Sequence, residues 1–133
     1  MSYAMAAALQ VAVFGRLEGW AALDGVAVVD ALPAQVPETY VLIGAEDVRD
    51  ASDKSGAGAA HRITVSVVTG AAGFSGAKEI AGAVCDALAE MAGPMDRGRI
   101  VSLRFQRARA RRTGDARRID LTFRARLEDD NQT

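Results

Sequence analysis

One histidine, one cysteine, three prolines, one tryptophan, two tyrosines and four phenylalanines are all that the 133-residue chain holds of those types. A single cysteine cannot close a disulfide within the chain, and Cys85 with His61 falls short of the about four ligands of a structural zinc site. The lone thiol fits a reducing compartment. A Cys85/His61 nucleophile pair would need an orienting third group, and none stands at a recognisable spacing. So few aromatics leave little on which to stack bases. No stretch approaches the roughly 18–20 apolar residues of a membrane span, and the N-terminus lacks the basic start and apolar block of a signal peptide. The expectation is a soluble cytoplasmic protein with no membrane partner, no cofactor, no metal and no catalytic residues.

The chain does have alanine and arginine. Of its 66 apolar residues 27 are alanine, which removes little surface from water, so the core is thin. Leu, Ile, Val and Phe number 31, enough for folding, and partners would add to the buried area. Arginine outnumbers lysine 14 to 2. Net charge is −1, but residues 1–95 sum to −6 and residues 96–133 to +5. Near-neutrality thus hides two oppositely charged segments.

Met5, Leu9, Val13 and Leu17 recur every four residues and predict a helix that Ser2 caps and that Gly15 and Gly19 end near residue 18. Trp20 and Leu23 fold back onto it, Asp24-Gly25 turns the chain, and Val26 to Val29 reads as a short strand. Pro33 and Pro37 bracket a loop. The run from Tyr40 through Ala45 reads as a strand buried on both faces. Residues 47–60 show turn chemistry without apolar period, a loop or a strand end plus loop. From His61 to Thr69, Ile63, Val65 and Val67 alternate with polar residues as in a strand with one buried face. Ser75 is a cap candidate for a helix carrying Ile80, Val84, Ala87, Leu88 and Met91, ended by Gly93-Pro94. Around a turn at Thr113-Gly114-Asp115, Val101, Leu103 and Phe105 face Ile119, Leu121, Phe123, Ala125 and Leu127 in a second hairpin that brings Phe105 to Phe123 or Ala125. The result is one α+β domain over residues 1–127, two hairpins in a mostly antiparallel sheet under two helices, with an acidic frayed tail at 128–133.

Past Phe105 the core-facing parity runs into Arg107, Arg109 and Arg111. Burying three unpaired guanidiniums would cost more than this core can supply. Either a bulge swaps the faces and turns Ala108 and Ala110 inward, or the distal hairpin extends beyond the core. In both cases Arg107, Arg109, Arg111, Arg112, Arg117 and Arg118 form a positive patch for a neighbouring subunit's acidic surface or a nucleic-acid backbone. Asp50, Asp53, Lys54 and Ser55 stand in a loop with neither the ligand pattern of a calcium loop nor the glycines of a phosphate loop, and read as a segment that a partner orders.

Several segments in fixed order carry a resemblance: the Ala-rich opening with Ser2-Tyr3-Ala4; Pro37-Glu-Thr-Tyr40-Val-Leu-Ile-Gly44; Ser52-Asp53-Lys54-Ser55-Gly56 leading to His61 and Ile63-Thr-Val-Ser-Val67; the connector ending in Gly73; Ala77-Lys78-Glu79-Ile80 through Ala87-Leu88; and the Arg-rich hairpin. Over about 125 residues the chain resembles the small tail-completion or tail-terminator proteins of long-tailed phages and bacterial gene transfer agents. Where relatives often carry a Trp at the end of the second strand, this chain has Val68. The resemblance implies a structural protein, not an enzyme. It would form a homo-hexameric ring that caps the tail tube protein's polymer, joins it to the head-side connector or stopper protein, and leaves a channel for passing double-stranded DNA. Its place would be the head-tail junction of the particle after assembly in the bacterial cytoplasm. Two alternatives stay open: another neck component, an adaptor or stopper, and a small nucleic-acid-binding module using the arginine hairpin.

Overall fold

The computed structural model describes residues 2–50 and 58–130. Met5, Leu9, Val13 and Leu17 fall on one side of a helix because four residues nearly complete a turn, and all four are buried. The chain enters through a 3-10 turn, Ser2–Met5, and continues as α1, Ala6–Glu18. Met5 stands at the cap position without a side-chain hydrogen bond, so the α-helix does not start on a Ser2 cap. Gly19 closes it, its N–H bonding to the Gly15 carbonyl at 3.0 Å. A second 3-10 turn, Ala21–Leu23, buries Leu23, while Trp20 packs at the core margin and takes the Arg16 guanidinium 5.3 Å from its ring centre.

Six strands follow: β1 Ala27–Val29, β2 Thr39–Asp50, β3 Gly58–Thr69, β4 Gly93–Pro94, β5 Arg99–Thr113 and β6 Ala116–Glu128, with α2, Ser75–Leu88, between β3 and β4. They make one sheet in the order β1-β2-β3-β6-β5-β4. Every pairing is antiparallel except β1 against β2. Successive strand residues point to opposite faces, and Val41, Ile43, Val65, Val67, Leu121 and Phe123 share one face. They meet Leu9, Val13, Ala81 and Val84 from both helices in a single core. Five alanines (Ala59, Ala77, Ala81, Ala87 and Ala125) belong to that core, which is why helix and sheet approach closely around few large side chains. Among the described residues, no helix covers the other face of the sheet. β4 covers only Arg99 and Ile100 of β5, so the rest of that long strand has an open edge.

Several expectations shift. Of the segment read as a loop or a strand end plus loop, residues 47–50 are strand: Asp47, Val48, Arg49 and Asp50 pair with Arg62, His61, Ala60 and Ala59. Asp47, Arg49 and Asp50 are exposed and only Val48 packs against the core, so this end of β2 carries no apolar alternation in sequence. β3 is buried on both faces at its end, since Ser66 and Val68 are covered as well as Val65 and Val67. α2 has Phe74 at its cap position with no side-chain bond, Ser75 being its first residue. It stops at Leu88, in a turn whose Met91 N–H bonds to the Leu88 carbonyl at 3.2 Å, with Glu90 at φ 56°. Gly93-Pro94 therefore does not end the helix but forms the edge strand β4. Nor does the chain fray at residue 128: Glu128 closes β6, and the nearly buried Asp129 carboxylate accepts two bonds from Arg97 at 3.0 and 2.9 Å.

Candidate functional site

The β5–β6 hairpin turns through two residues, with Gly114 at φ 61°, the glycine-first geometry that suits the twist of paired strands. Phe105 lies opposite Phe123, their rings edge-to-face with centres 5.9 Å apart. The register then slips between Phe105 and Arg107. Gln106 is the extra residue of a β-bulge, and one extra residue inverts the faces beyond it. Ala108 now opposes Leu121 and Ala110 opposes Ile119 on the helix side, while Arg107, Arg109 and Arg111 turn to the bare face. Ala108 and Ala110 line the groove beside α2 and stay exposed there. The bulge is therefore the route that keeps arginine out of the core.

The six arginines divide. Arg107, Arg109, Arg111 and Arg118 share the bare face with the β6 residues Asp120 and Thr122, whereas Arg112 and Arg117 pair with each other on the helix side near the hairpin tip. Arg117 reaches the connector before α2, donating to the Ala71 carbonyl at 3.1 Å and lying 5.7 Å from the Phe74 ring centre. It anchors that connector.

Four arginines join the bare face that the hairpin's sequence alone did not bring to notice. Arg62 on β3, Arg124 on β6 and Arg104 on β5 stand directly opposite one another across three adjacent strands, and Arg126 follows two residues after Arg124. Their signal was available: each holds the polar position of an alternating strand. Like charges directly opposed destabilise a sheet. Part of the charge is met within the face. Arg62 Nε donates to the bulge residue Gln106 at 3.1 Å, and its guanidinium lies 3.8 Å from Asp47. Arg99 lies 3.5 Å from Glu128. Asp120 accepts from Ser66 at 2.6 Å, Arg118 at 2.8 Å and Arg111 at 3.3 Å. Burial pushes its carboxyl up, but the bonds from Ser66 and Arg118, the Arg118 charge and the Arg111 bond outweigh that and hold it below the usual carboxylate range. Arg104, Arg107, Arg109 and Arg124 have no ion pair among the described residues, and all four are exposed.

Of the loop candidates, Asp50 is the last residue of β2; Asp53, Lys54 and Ser55 lie outside the described residues. His61 is fully buried in β3 and donates through Nδ1 to Glu46 Oε2 at 2.7 Å, while its Nε2 has no hydrogen-bond partner among the described residues. Cys85 faces a groove of about 270 Å³ between α2 and the hairpin, lined also by Lys78, Phe105, Ala108 and Ala110. Burial, then the Asp86 charge, push its thiol up, away from the thiolate a nucleophile needs. No group of three or more His, Cys, Asp or Glu that could hold a metal occurs among the described residues. The constellation this chain builds is an extended cationic sheet face, suited to an extended anionic surface.

None of the curated proteins matches the chain. Among solved structures, a chain described as "Virion of native gene transfer agent (GTA) particle" is 55% identical to it, with a TM-score of 0.88, the match covering 96% of this chain and 99% of that one. The model of the family described as "Tail completion protein gp17" matches residues 7–128. That segment runs from the start of α1 to the end of β6 and holds the whole cationic face, so the chain belongs to the tail completion protein gp17 family, structural proteins of phage-like particles.

Proposed function

We propose that the chain is a tail terminator. Copies close into a hexameric ring on the end of the tail tube, stop its growth and join it to the head-side connector, leaving a channel for double-stranded DNA. The observation that carries this reading is the 55% identity, over nearly the full length of both chains, to a component of a gene transfer agent virion. The physical character of the subunit supports it. A sheet with helices on one side only and a core rich in alanine gains buried area from neighbours, and head-to-tail contacts of one kind close into rings. In this reading the subunits wait in the bacterial cytoplasm and end at the head-tail junction.

Particles made without this chain test the role. The expected outcome in electron micrographs is tails of uncontrolled length, unattached to heads. Normal-length tails joined to heads would refute it. Normal-length tails left unattached would also refute it, and would assign the chain to an adaptor or stopper role instead.

A further inference from the structure

The sequence splits its charge along the chain, and the fold converts most of that split into opposite faces of a two-layer slab, with Lys78, Arg112 and Arg117 remaining on the helix side. The bare sheet face carries the unpaired Arg104, Arg107, Arg109 and Arg124. On the other side, α2 turns Ala77, Ala81, Val84 and Leu88 into the core, and Glu79 and Asp86, seven residues apart, line its exposed stripe. Glu18 at the end of α1 and Asp30 beside Gln10 extend the acidic layer. Arg16 in the same layer is committed to the Ala87 carbonyl at 2.7 Å.

The geometry points to a second copy of this chain as the occupant of the arginine face: its helix layer, Glu79 and Asp86 foremost, seats on the row Arg62, Arg124 and Arg104. This rests on the ring reading above and deepens it by naming the two surfaces. Three strands set the ends of that row about 10 Å apart, and seven residues of helix set the two carboxylates about 10 Å apart. The two surfaces lie on opposite sides of one subunit, so each docked copy still presents one of each. That is the requirement for a heterologous contact, which closes into a ring when the rotation between neighbours permits.

A DNA backbone would ask for a different face. Acids stand among these arginines: Asp47 beside Arg62, Asp120 holding Arg111 and Arg118, and Glu128 beside Arg99. A phosphate-binding strip gains from releasing counterions at unmatched cations, whereas mixed charge fixes register between protein surfaces. The chain as a whole carries net charge −1, which does not draw it to DNA.

The test is a charge swap in the full-length chain. R104E/R124E reverses two of the three charges in the arginine row, and E79R/D86R reverses the carboxylate pair that faces it. Sedimentation velocity at low salt, alone and with isolated tail tubes, reads assembly. Each variant alone is expected to self-associate at least tenfold more weakly than the wild type while keeping its thermal midpoint and far-ultraviolet circular dichroism. R104Q/R124Q gives a milder loss and serves if a reversal unfolds the chain. Mixing the two reversed variants restores assembly in strict one-to-one alternation, as an even-membered ring permits.

Assembly of either reversed variant at wild-type strength, or no recovery on mixing, overturns the proposal. So does a wild-type chain that stays monomeric with tubes present. Normal assembly of R104E/R124E with lost binding to a short DNA duplex would overturn it and assign the face to DNA. If assembly follows the swap but particles without the chain have normal joined tails, the interface stands and the terminator role falls. If the tails fail without the chain while R104E/R124E works normally, the role stands and the interface falls.

Discussion

Gly98 is the position at which one methyl group does the most harm. It sits in the turn between β4 and β5 at φ +71°, with its N–H donating to the Asp130 carboxylate at 2.9 Å. A Cβ there would lie 2.5 Å from the Glu128 carbonyl oxygen and 2.6 Å from Met5 Sδ, so the N-terminal turn, the end of β6 and the β4–β5 turn all meet on this one backbone. Gly98→Ala is expected to cost about 2–5 kcal/mol, from overpacking and left-handed strain together. Gly25→Ala is the control. Its φ is +82° but nothing lies within 4 Å of the added carbon, and it should cost only about 1 kcal/mol. Thermal denaturation of the two variants measures the difference; equal losses would mean that the crowding at Gly98 is relieved at no cost. Nothing in the sequence distinguishes these two glycines, because the distinction lies in residues 93 and 30 positions away that the fold brings to Gly98 alone.

Asp120 works at the scale of elements, drawing together Ser66 from β3, Arg111 from β5 and Arg118 from its own strand. Its carboxyl titrates below its ordinary value. A group depressed in the folded state contributes stability that is fully present above its unfolded pKa, about 4, and that disappears as pH falls through the folded value. The acid limb of the wild-type stability curve should therefore be steeper below about pH 4 than that of Asp120→Asn, read from urea midpoints between pH 6 and pH 2. Parallel curves would remove Asp120 as the coupling between the strands. The elements themselves were largely legible. The four-residue spacing of Met5, Leu9, Val13 and Leu17 marks a helix, and the alternation of Ile63, Val65 and Val67 marks a strand, because burial imposes those periods. What the periods cannot show is where they break. The Gln106 bulge leaves only a contradiction in sequence, arginines where apolar residues should continue, and that contradiction admits two solutions, of which the structure uses the bulge. The strand end Asp47 to Asp50 follows from pairing with β3 and has no local pattern behind it, and Glu90 takes a positive φ in the turn after α2 where the sequence offers no glycine. Of the candidate site, the hairpin arginines stood out as a run. Arg62 and Arg124 are separated by 61 residues and become one row only when β6 lies beside β3.

At the scale of the whole molecule, the face of the subunit and its rim set different conditions. The chain belongs to a family of structural proteins of phage-like particles. β5 exposes an edge from Val101 to Thr113, since β4 covers only its first two residues. A long open edge is a template on which another chain's strand can add without limit. Here the strand at risk carries Arg104, Arg107, Arg109, Arg111 and Arg112, and two such strands brought edge to edge would oppose arginine to arginine. Replacing Arg104, Arg107 and Arg109 with threonine, which keeps strand propensity and removes charge, should produce thioflavin-binding fibrils at concentrations where the wild type stays clear. Clear solutions of both would refute the idea. On this account the arginines of β5 are gatekeepers against amyloid in a subunit whose sheet is left open on one side.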